Sequence, residues 1–223
     1  MKTKILATKR TYKKRQSKSI SEAQRIKNLF RDKATVTLDI GCGENKQPGS
    51  IGVDFRQVKG VDIVQNLSLF PWKSLPDECA DVIITSHLLE HIPQEPSNPQ
   101  LAGLVDLLLE KGLVTQKEVV TYIGEYRFLG GLVRFFDECW RVLKPGGQMQ
   151  NVFPYAGSPG YWQDPTHVGP INQTTLAYFD PLAKVDGTGP FYGLYQIYAP
   201  LPWKILRIFY DQNGFIEVAL EKR

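Results

Sequence analysis

The apolar residues of this chain fall into two rhythms. T-V-T-L-D-I (35–40), I-G-V-D-F (51–55), V-D-I-V (61–64) and A-D-V-I-I-T-S (80–86) are short runs with β-branched character, bounded by turn residues. Runs of this length and make-up predict the buried strands of a parallel sheet. Other segments repeat at helical spacing. Ser21 is placed to cap a helix ending near Phe30, with Ile26, Leu29 and Phe30 on one face. L-A-G-L-V-D-L-L-L-E-K (101–111) predicts a helix that stops at Gly112, and T-Q-K-E (115–118) is a capping box opening another that runs to about Leu129. L-V-R-F-F-D-E-C-W-R-V-L (132–143) predicts a further helix. It ends at K-P-G-G, which reads as a stop and a tight turn before the strand Q-M-Q-N-V-F (148–153). Near the C-terminus the pattern changes. K-I-L-R-I-F-Y (204–210) and F-I-E-V-A-L-E (215–221) flank D-Q-N-G, and Asn213-Gly214 predicts a type I′ hairpin turn. Strands alternating with helices and closing on a hairpin predict an α/β fold. Its open twisted sheet should be mostly parallel, with an antiparallel C-terminal hairpin and helices on both faces.

One connection is too short for this plan. Ten residues separate Gly43 from Asp54, some of them belong to the next strand, and Pro48 and Gly49 lie among them. A crossover between adjacent parallel strands ordinarily takes a dozen or more residues and includes a helix. The first crossover helix is therefore expected to be reduced or absent, leaving a ligand site at the sheet edge more open on that side.

Charge divides the chain. Residues 1–33 hold 12 of the 27 Lys and Arg but only two of the 23 acids, a net charge of +10, whereas the remaining residues carry −6. This predicts a basic N-terminal arm (1–33), partly mobile, in front of a single mildly acidic domain (34–223). The arm suits either a solvated tail or a contact to a polyanion such as nucleic acid. Three cysteines (Cys42, Cys79, Cys139) lack pairing or metal-ligand spacing. With no secretory signal and no apolar run of membrane-spanning length, the expected location is cytoplasmic, without a membrane partner.

Two strings carry chemistry. L-D-I-G-C-G (38–43) ends the first strand, where Gly41 and Gly43 let a ligand approach the backbone, and Asp54 ends the second, where a carboxylate can accept ribose hydroxyls. Neither a dinucleotide fingerprint nor a phosphate loop is completed, since Lys46 stands at the third glycine position. H-L-L-E-H (87–91) has the order of a zinc-protease signature. It follows a strand directly, however, and Pro93 and Pro96 leave little room for the long helix such a site needs, so no metal is expected. The third histidine, His167, lies in Y-A-G-S-P-G-Y-W-Q-D-P-T-H-V (155–168), whose Gly, Pro and aromatic content suits a binding loop.

L-D-I-G-C-G, then G-V-D, then L-P-D-E-C-A-D-V-I-I-T-S-H-L-L-E-H-I-P, then F-F-D-E-C-W-R-V-L-K-P-G-G occur in an order that resembles the Rossmann-like, class I S-adenosylmethionine-dependent methyltransferases. The resemblance is to short-linker members like those of the methyltransferase type 11 group. It covers residues 35–154, with a helical insertion at about 94–128. It implies S-adenosylmethionine as cofactor and methyl transfer as activity. Asp39, Gly41, Cys42 and Gly43 match the motif around the methionine part, Asp54 the ribose acid, Asn66 and Leu67 the loop bordering adenine, and Ser86 and His87 the methyl-donor end. D-P-T-H followed by the Tyr178-Phe179 pair resembles a string found after the fifth strand in a subset of that family. His91 and His167 are the candidate bases, with Asp164 holding His167. Asp164 and His167 also suit a purely structural Asx-Pro turn.

The acceptor is less legible. No [D/N/S]-P-P-[Y/F] string follows the fourth strand and no Pro-Cys nucleophile is present, which disfavours the DNA amino- and cytosine-C5-methylating classes. The insertion and G-P-F-Y-G-L-Y-Q-I-Y (189–198), within a substrate-side loop at about 155–200, suit a lid over a small-molecule or sugar-like acceptor, or else packing on the sheet edge. An RNA-modifying enzyme guided by residues 1–33, or a cofactor-binding subunit without catalysis, are the alternatives.

Overall fold

The computed structural model describes residues 21–93, 107–115, 117–118, 131–183 and 200–223. Most of the arm (1–20), most of the 94–128 insertion and the aromatic stretch 189–198 lie outside the described residues. Seven strands form one sheet: β1 (Thr37–Ile40), β2 (Ile51–Asp54), β3 (Ile63–Val64), β4 (Ala80–Ser86), β5 (Leu143–Pro154), β6 (Trp203–Tyr210) and β7 (Phe215–Lys222). Their order is β3-β2-β1-β4-β5-β7-β6. The first five are parallel and β7 is antiparallel to both β5 and β6. This is a Rossmann-like sheet that reverses between β1 and β4, with its last hairpin inserted as expected.

The register separates two faces. Ile51, Leu38, Ile83, Met149 and Leu220 are aligned across β2, β1, β4, β5 and β7, and all are buried. The helix Gly131–Val142 supplies Leu132, Phe135, Phe136, Cys139 and Val142 to the same hydrophobic cluster, at the three- and four-residue steps that put them on one helical face. Fully burying one such Phe stabilises by about 1.5–3 kcal/mol. On the opposite face the row Asp39, Ile84, Gln150, Ala219 and Arg207 mixes polar and apolar residues and, apart from Asp39, is half-buried or exposed.

Several sequence expectations hold in detail. The helix Glu22–Phe30 is capped by the Ser21 hydroxyl, which accepts from the Gln24 amide. Residues 107–110 are helical and the chain turns at Gly112, with φ +63°. Thr115 and Glu118 exchange the reciprocal bonds of a capping box. The continuation of that helix towards Leu129 lies outside the described residues. The chain leaves at Pro93 and returns at Gly131 in close contact: a Cβ on Gly131 would stand 1.8 Å from the Pro93 carbonyl oxygen.

No helix joins β1 to β2. Residues 41–50 form turns and irregular backbone only, and side-chain carboxylates brace the linker and the start of β2. Asp39 accepts from the Gln47 amide (2.7 Å); Asp62 accepts from the Gly52 amide (2.8 Å) and pairs with Lys46 (2.7 Å).

Two local expectations are corrected. K-P-G-G does not separate a helix from a strand by a simple turn, because β5 begins at Leu143 and carries those residues as a bulge. Ala80 pairs with Leu143 and Val82 with Gln148, so five steps on β5 face two on β4, with Gly146 at φ +72°. The hairpin turn is not type I′, which needs a left-handed residue at both central positions. Only Gly214 is left-handed (φ +89°). The Gly214 amide is 3.5 Å from the Asp211 carbonyl, and the Asp211 amide donates to the Phe215 carbonyl (2.9 Å), a three-residue loop. The Asp211 carboxylate takes the amides of Asn213 and Phe215 (2.9 and 2.7 Å), which fixes this longer form.

Candidate functional site

The carboxyl ends of β1, β2 and β4 frame a cleft of about 500 Å³, lined among others by Asp39, Gly41, Cys42, Gly43, Arg56, Ser86 and His87. That volume lies within the range of small-molecule and cofactor sites. The glycine turn makes the cleft possible. Gly41 (φ +76°) and Gly43 (φ +52°) are left-handed, and a Cβ on them would stand 3.0 Å from the Leu88 side chain and 3.0 Å from the Arg56 guanidinium. The string after β4 therefore packs directly on the turn after β1. The Gly41 amide is anchored to the Val53 carbonyl (2.8 Å), which ties the turn to β2.

Two buried acids support the cleft: Asp39 lines it, and Asp54, just behind the lining, bonds the lining residues Gly43 and Arg56. Asp54, 3% exposed, accepts from the Gly43 amide on one oxygen (2.9 Å) and from the Arg56 amide and Nε on the other (2.9 and 3.2 Å). Burial works to raise its carboxyl, but the Arg56 and Gly43 donors prevail and hold it below the ordinary value. The oxygen facing Gly43 keeps a lone pair for one hydroxyl; a second hydroxyl would have to displace the half-exposed Arg56 side chain. Asp39 is raised by burial, against the opposing pull of the Gln47 amide and Lys46. Burial, then the Asp39 and Asp54 charges, push the Cys42 thiol up to about 11, so it lines the cleft as an un-ionised group.

The remaining expected cofactor residues divide. Ser86 and His87 are in the cleft wall. Asn66 and Leu67 are not: Leu67 is buried in the core, and the Asn66 side chain accepts from the Ser68 amide (3.0 Å). Arg56 was not singled out from sequence, though its place two residues after Asp54 lets it clamp that carboxylate. Gln47, Ile84 and Ser86 also border a second hollow of about 340 Å³ on the half-exposed sheet face, with Gln150, Val152 and Arg207. The linker that replaces the first crossover helix lines the cleft through Glu44, Asn45 and Gln47.

Beyond Ser86 the chain turns sharply. His87 is left-handed (φ +52°), and its amide donates to the Val152 carbonyl (2.8 Å). A single 3₁₀ turn, Leu89–His91, follows. His87 stands outside it, so the two histidines of H-L-L-E-H do not share a helical face. Glu90 is wholly buried, and neither carboxylate oxygen has a hydrogen-bond partner among the described residues. Its main-chain carbonyl accepts from the amides of Val168 (2.8 Å) and Gly169 (3.0 Å), which docks the D-P-T-H loop against the turn. The rings of His91 and His167 thereby meet edge to face, with centroids 4.8 Å apart.

His167 is held differently from expectation. Its Nδ1 lies 2.7 Å from the Tyr161 carbonyl and so carries the proton, leaving Nε2 as the basic atom. Asp164 instead accepts from the Thr166 amide (2.8 Å) and hydroxyl (2.6 Å), an Asx turn. Its second oxygen is 3.7 Å from His167 Nε2, outside hydrogen-bond range. Nε2 is 4.0 Å from Glu90 Oε1, and His87 Nδ1 is 3.4 Å from the same oxygen. Burial raises the Glu90 carboxyl to about 7, and it lowers His87, helped by the nearby His167 and His91. The cluster is thus a set of titratable groups beside the cleft mouth, with Tyr161 packed against His167 at 5.3 Å between centroids.

No family model and no curated protein sequence matches this chain. Among solved structures it is similar to a 16S rRNA (adenine(1408)-N(1))-methyltransferase variant from Catenulisporales acidiphilia, at 12% identity over 91% of each chain with a TM-score of 0.48. It is also similar to a SAM-dependent methyltransferase from Archaeoglobus fulgidus, at 20% identity over 89% of this chain and 90% of that one, with a TM-score of 0.45. A third, a SAM-dependent methyltransferase from Aquifex aeolicus, has 11% identity over 91% and 90% of the two chains and a TM-score of 0.45. No helix among the described residues is long and apolar enough to cross a membrane.

Proposed function

We propose that this chain is an S-adenosylmethionine-dependent methyltransferase acting on an oxygen or nitrogen nucleophile of a small-molecule or sugar-like acceptor. The observation that carries the reading is the cleft itself. The left-handed Gly41 and Gly43, the donor-bound Asp54 and the Ser86-His87 wall converge at the strand carboxyl ends of the sheet, where open α/β folds bind ligands.

Bound there, S-adenosylmethionine would supply a methyl group made electrophilic by its sulfonium. The residues of the chain need mainly to align and shield. Asp54 offers a ribose hydroxyl its free lone pair, and Gly41 and Gly43 leave backbone open to the methionine part. Ser86 and His87 border the donor end, and positioning carries most of the rate in such a reaction. His167, with Nδ1 committed to Tyr161, presents Nε2 as a proton acceptor beside that end.

The acidic body favours a small acceptor over a polyanion. The +10 arm supports a second reading, in which residues 1–33 deliver the enzyme to RNA. Calorimetry with S-adenosylmethionine and S-adenosylhomocysteine tests the cofactor, with binding expected for both; absence of binding to either overturns the proposal. RNA affinity that disappears on deleting residues 1–33 would shift the choice to the second reading.

A further inference from the structure

We propose that Glu90, His91 and His167 form a binding site for a first-row divalent metal ion, zinc or a close relative. These three residues each offer a ligand atom, and all three atoms lie within 4.8 Å of one another. They come from two separate segments, the 3₁₀ turn after β4 and the D-P-T-H loop. The Val168 and Gly169 amides pin those segments together through the Glu90 carbonyl. The string H-L-L-E-H thus contributes a site after all, though not in the zinc-protease manner. Its first histidine is not one of the three, although its Nδ1 lies 3.4 Å from Glu90 Oε1, and the second imidazole comes from a residue 76 positions later in the chain.

Two independent observations point to a ligand here. Glu90 is fully buried with neither oxygen hydrogen-bonded among the described residues, only His87 Nδ1 (3.4 Å) and His167 Nε2 (4.0 Å) standing near Oε1. A carboxylate in that state is costly unless a proton or a cation neutralises it. The histidines are also oriented as metal ligands are. His167, its side chain 8% exposed, donates Nδ1–H to the Tyr161 carbonyl and turns Nε2 inward. Thr166 holds His91 at Nδ1 through its carbonyl (3.3 Å) and hydroxyl (3.2 Å). Support of this kind, a backbone carbonyl fixing one ring nitrogen, is what orients metal-binding imidazoles.

Two imidazoles and one carboxylate favour zinc, cobalt, nickel or iron over magnesium or calcium, which prefer oxygen donors throughout. Metal–ligand distances of about 2.0–2.2 Å require the three side chains to close by roughly 1 Å. The Glu90 oxygens would give up no hydrogen bond in doing so. Three protein ligands leave at least one open position. On the methyltransferase reading given above, that position is beside the methyl-donor end, where an acceptor hydroxyl on the ion would become more acidic. Metal binding itself does not depend on that reading.

The test uses the untagged full chain, stripped with a chelator and titrated with Co²⁺ by visible absorption and with Zn²⁺ by calorimetry. One equivalent of each ion is expected to bind, with the intense d–d bands of a four- or five-coordinate Co²⁺ site. Glu90→Gln, His91→Ala and His167→Ala should each weaken binding by roughly 100-fold. Thermal unfolding of each variant, metal-free, checks that it folds; should the buried-site variants fail, His91→Ala decides alone. Absence of a Co²⁺ spectrum, or affinity unchanged in a folded His91→Ala variant, overturns the proposal. S-adenosylhomocysteine binding is measured separately on the same protein, so failure of the metal site and failure of the cofactor reading remain distinct.

Discussion

Two carboxylates at the carboxyl ends of this sheet are equally deep and oppositely treated. Asp54 is 3% exposed and receives three donors, from Gly43 and Arg56, which together hold it ionised. Glu90, at 0% exposure, receives none, and burial raises it to about 7. The physics of burial is common to both, so the difference lies in the backbone around them. Asp54 ends a strand where the Gly43 amide and the Arg56 amide and guanidinium meet its two oxygens, whereas Glu90 sits in a single 3₁₀ turn where no described residue hydrogen-bonds its carboxylate. The first arrangement is complete before any ligand arrives. The second is completed only by a proton, an ion or a substrate, which is the usual condition of a group retained for chemistry.

The largest expected effect comes from removing the unpartnered charge. In chelator-treated protein the Glu90 carboxyl titrates near 7 when folded and near 4.5 when unfolded. Between those values the folded state keeps a proton that the unfolded state has released, so stability falls as pH rises through the window. It is fully present below 4.5 and lost above 7. At about 1.4 kcal/mol per pH unit, the loss approaches roughly 3 kcal/mol. Glu90→Gln should therefore be as stable as the parent at pH 4 and more stable at pH 8 by up to about 3 kcal/mol, read from urea unfolding at both values. Equal stability at pH 8 would mean that Glu90 already has a partner, and the contrast with Asp54 would collapse.

The complementary change is Asp54→Ala. It leaves the Gly43 amide without an acceptor and frees Arg56, at a cost of about 1–3 kcal/mol in stability. It also removes the acceptor for ribose, so S-adenosylhomocysteine affinity should drop by roughly 10- to 100-fold. Cofactor affinity that survives this change would dissociate the acid from the ligand and leave it a purely structural clamp on the glycine turn.

How far the contrast could be read from sequence follows from the range of the interactions involved. The Asp54 side was legible, because L-D-I-G-C-G, the short linker and G-V-D are local patterns whose residues meet across adjacent parallel strands. So were β4, the helix Gly131–Val142, the Ser21 cap and the Thr115 capping box, all governed by spacing within a few residues. Failures arose where a local signal met a longer-range competitor. Asn213-Gly214 suggested a two-residue turn, but the Asp211 carboxylate two residues earlier captures the amides of Asn213 and Phe215 and lengthens the loop. K-P-G-G reads as a terminator, but pairing with β4 resumes on both sides of it. The Glu90 side was illegible for a related reason. Nothing local shows that His87 adopts φ +52°, or that a loop beginning 64 residues after His91 docks its amides on the Glu90 carbonyl. H-L-L-E-H, with no room for a helix, reads as a short turn after β4, and it is half of a two-segment cluster.

The smallest expected effect separates support from chemistry within that cluster. D-P-T-H places Asp164 three residues before His167, a spacing that suggests a carboxylate steadying an imidazole. The bonds go elsewhere: both short contacts of Asp164 are to Thr166, and its carboxyl is held low first by the Thr166 hydroxyl and amide. His167 takes its orientation from the Tyr161 carbonyl, which no side-chain substitution removes. Asp164→Asn keeps an oxygen for the Thr166 amide and should leave the melting temperature within roughly 1–2 °C of the parent. The Co²⁺ spectrum and the pH profile of methyl transfer should stay where they are. A pH profile displaced by this one substitution, with the melting temperature unchanged, would return Asp164 to the role of partner to His167. The 3.7 Å separation would then close when substrate binds.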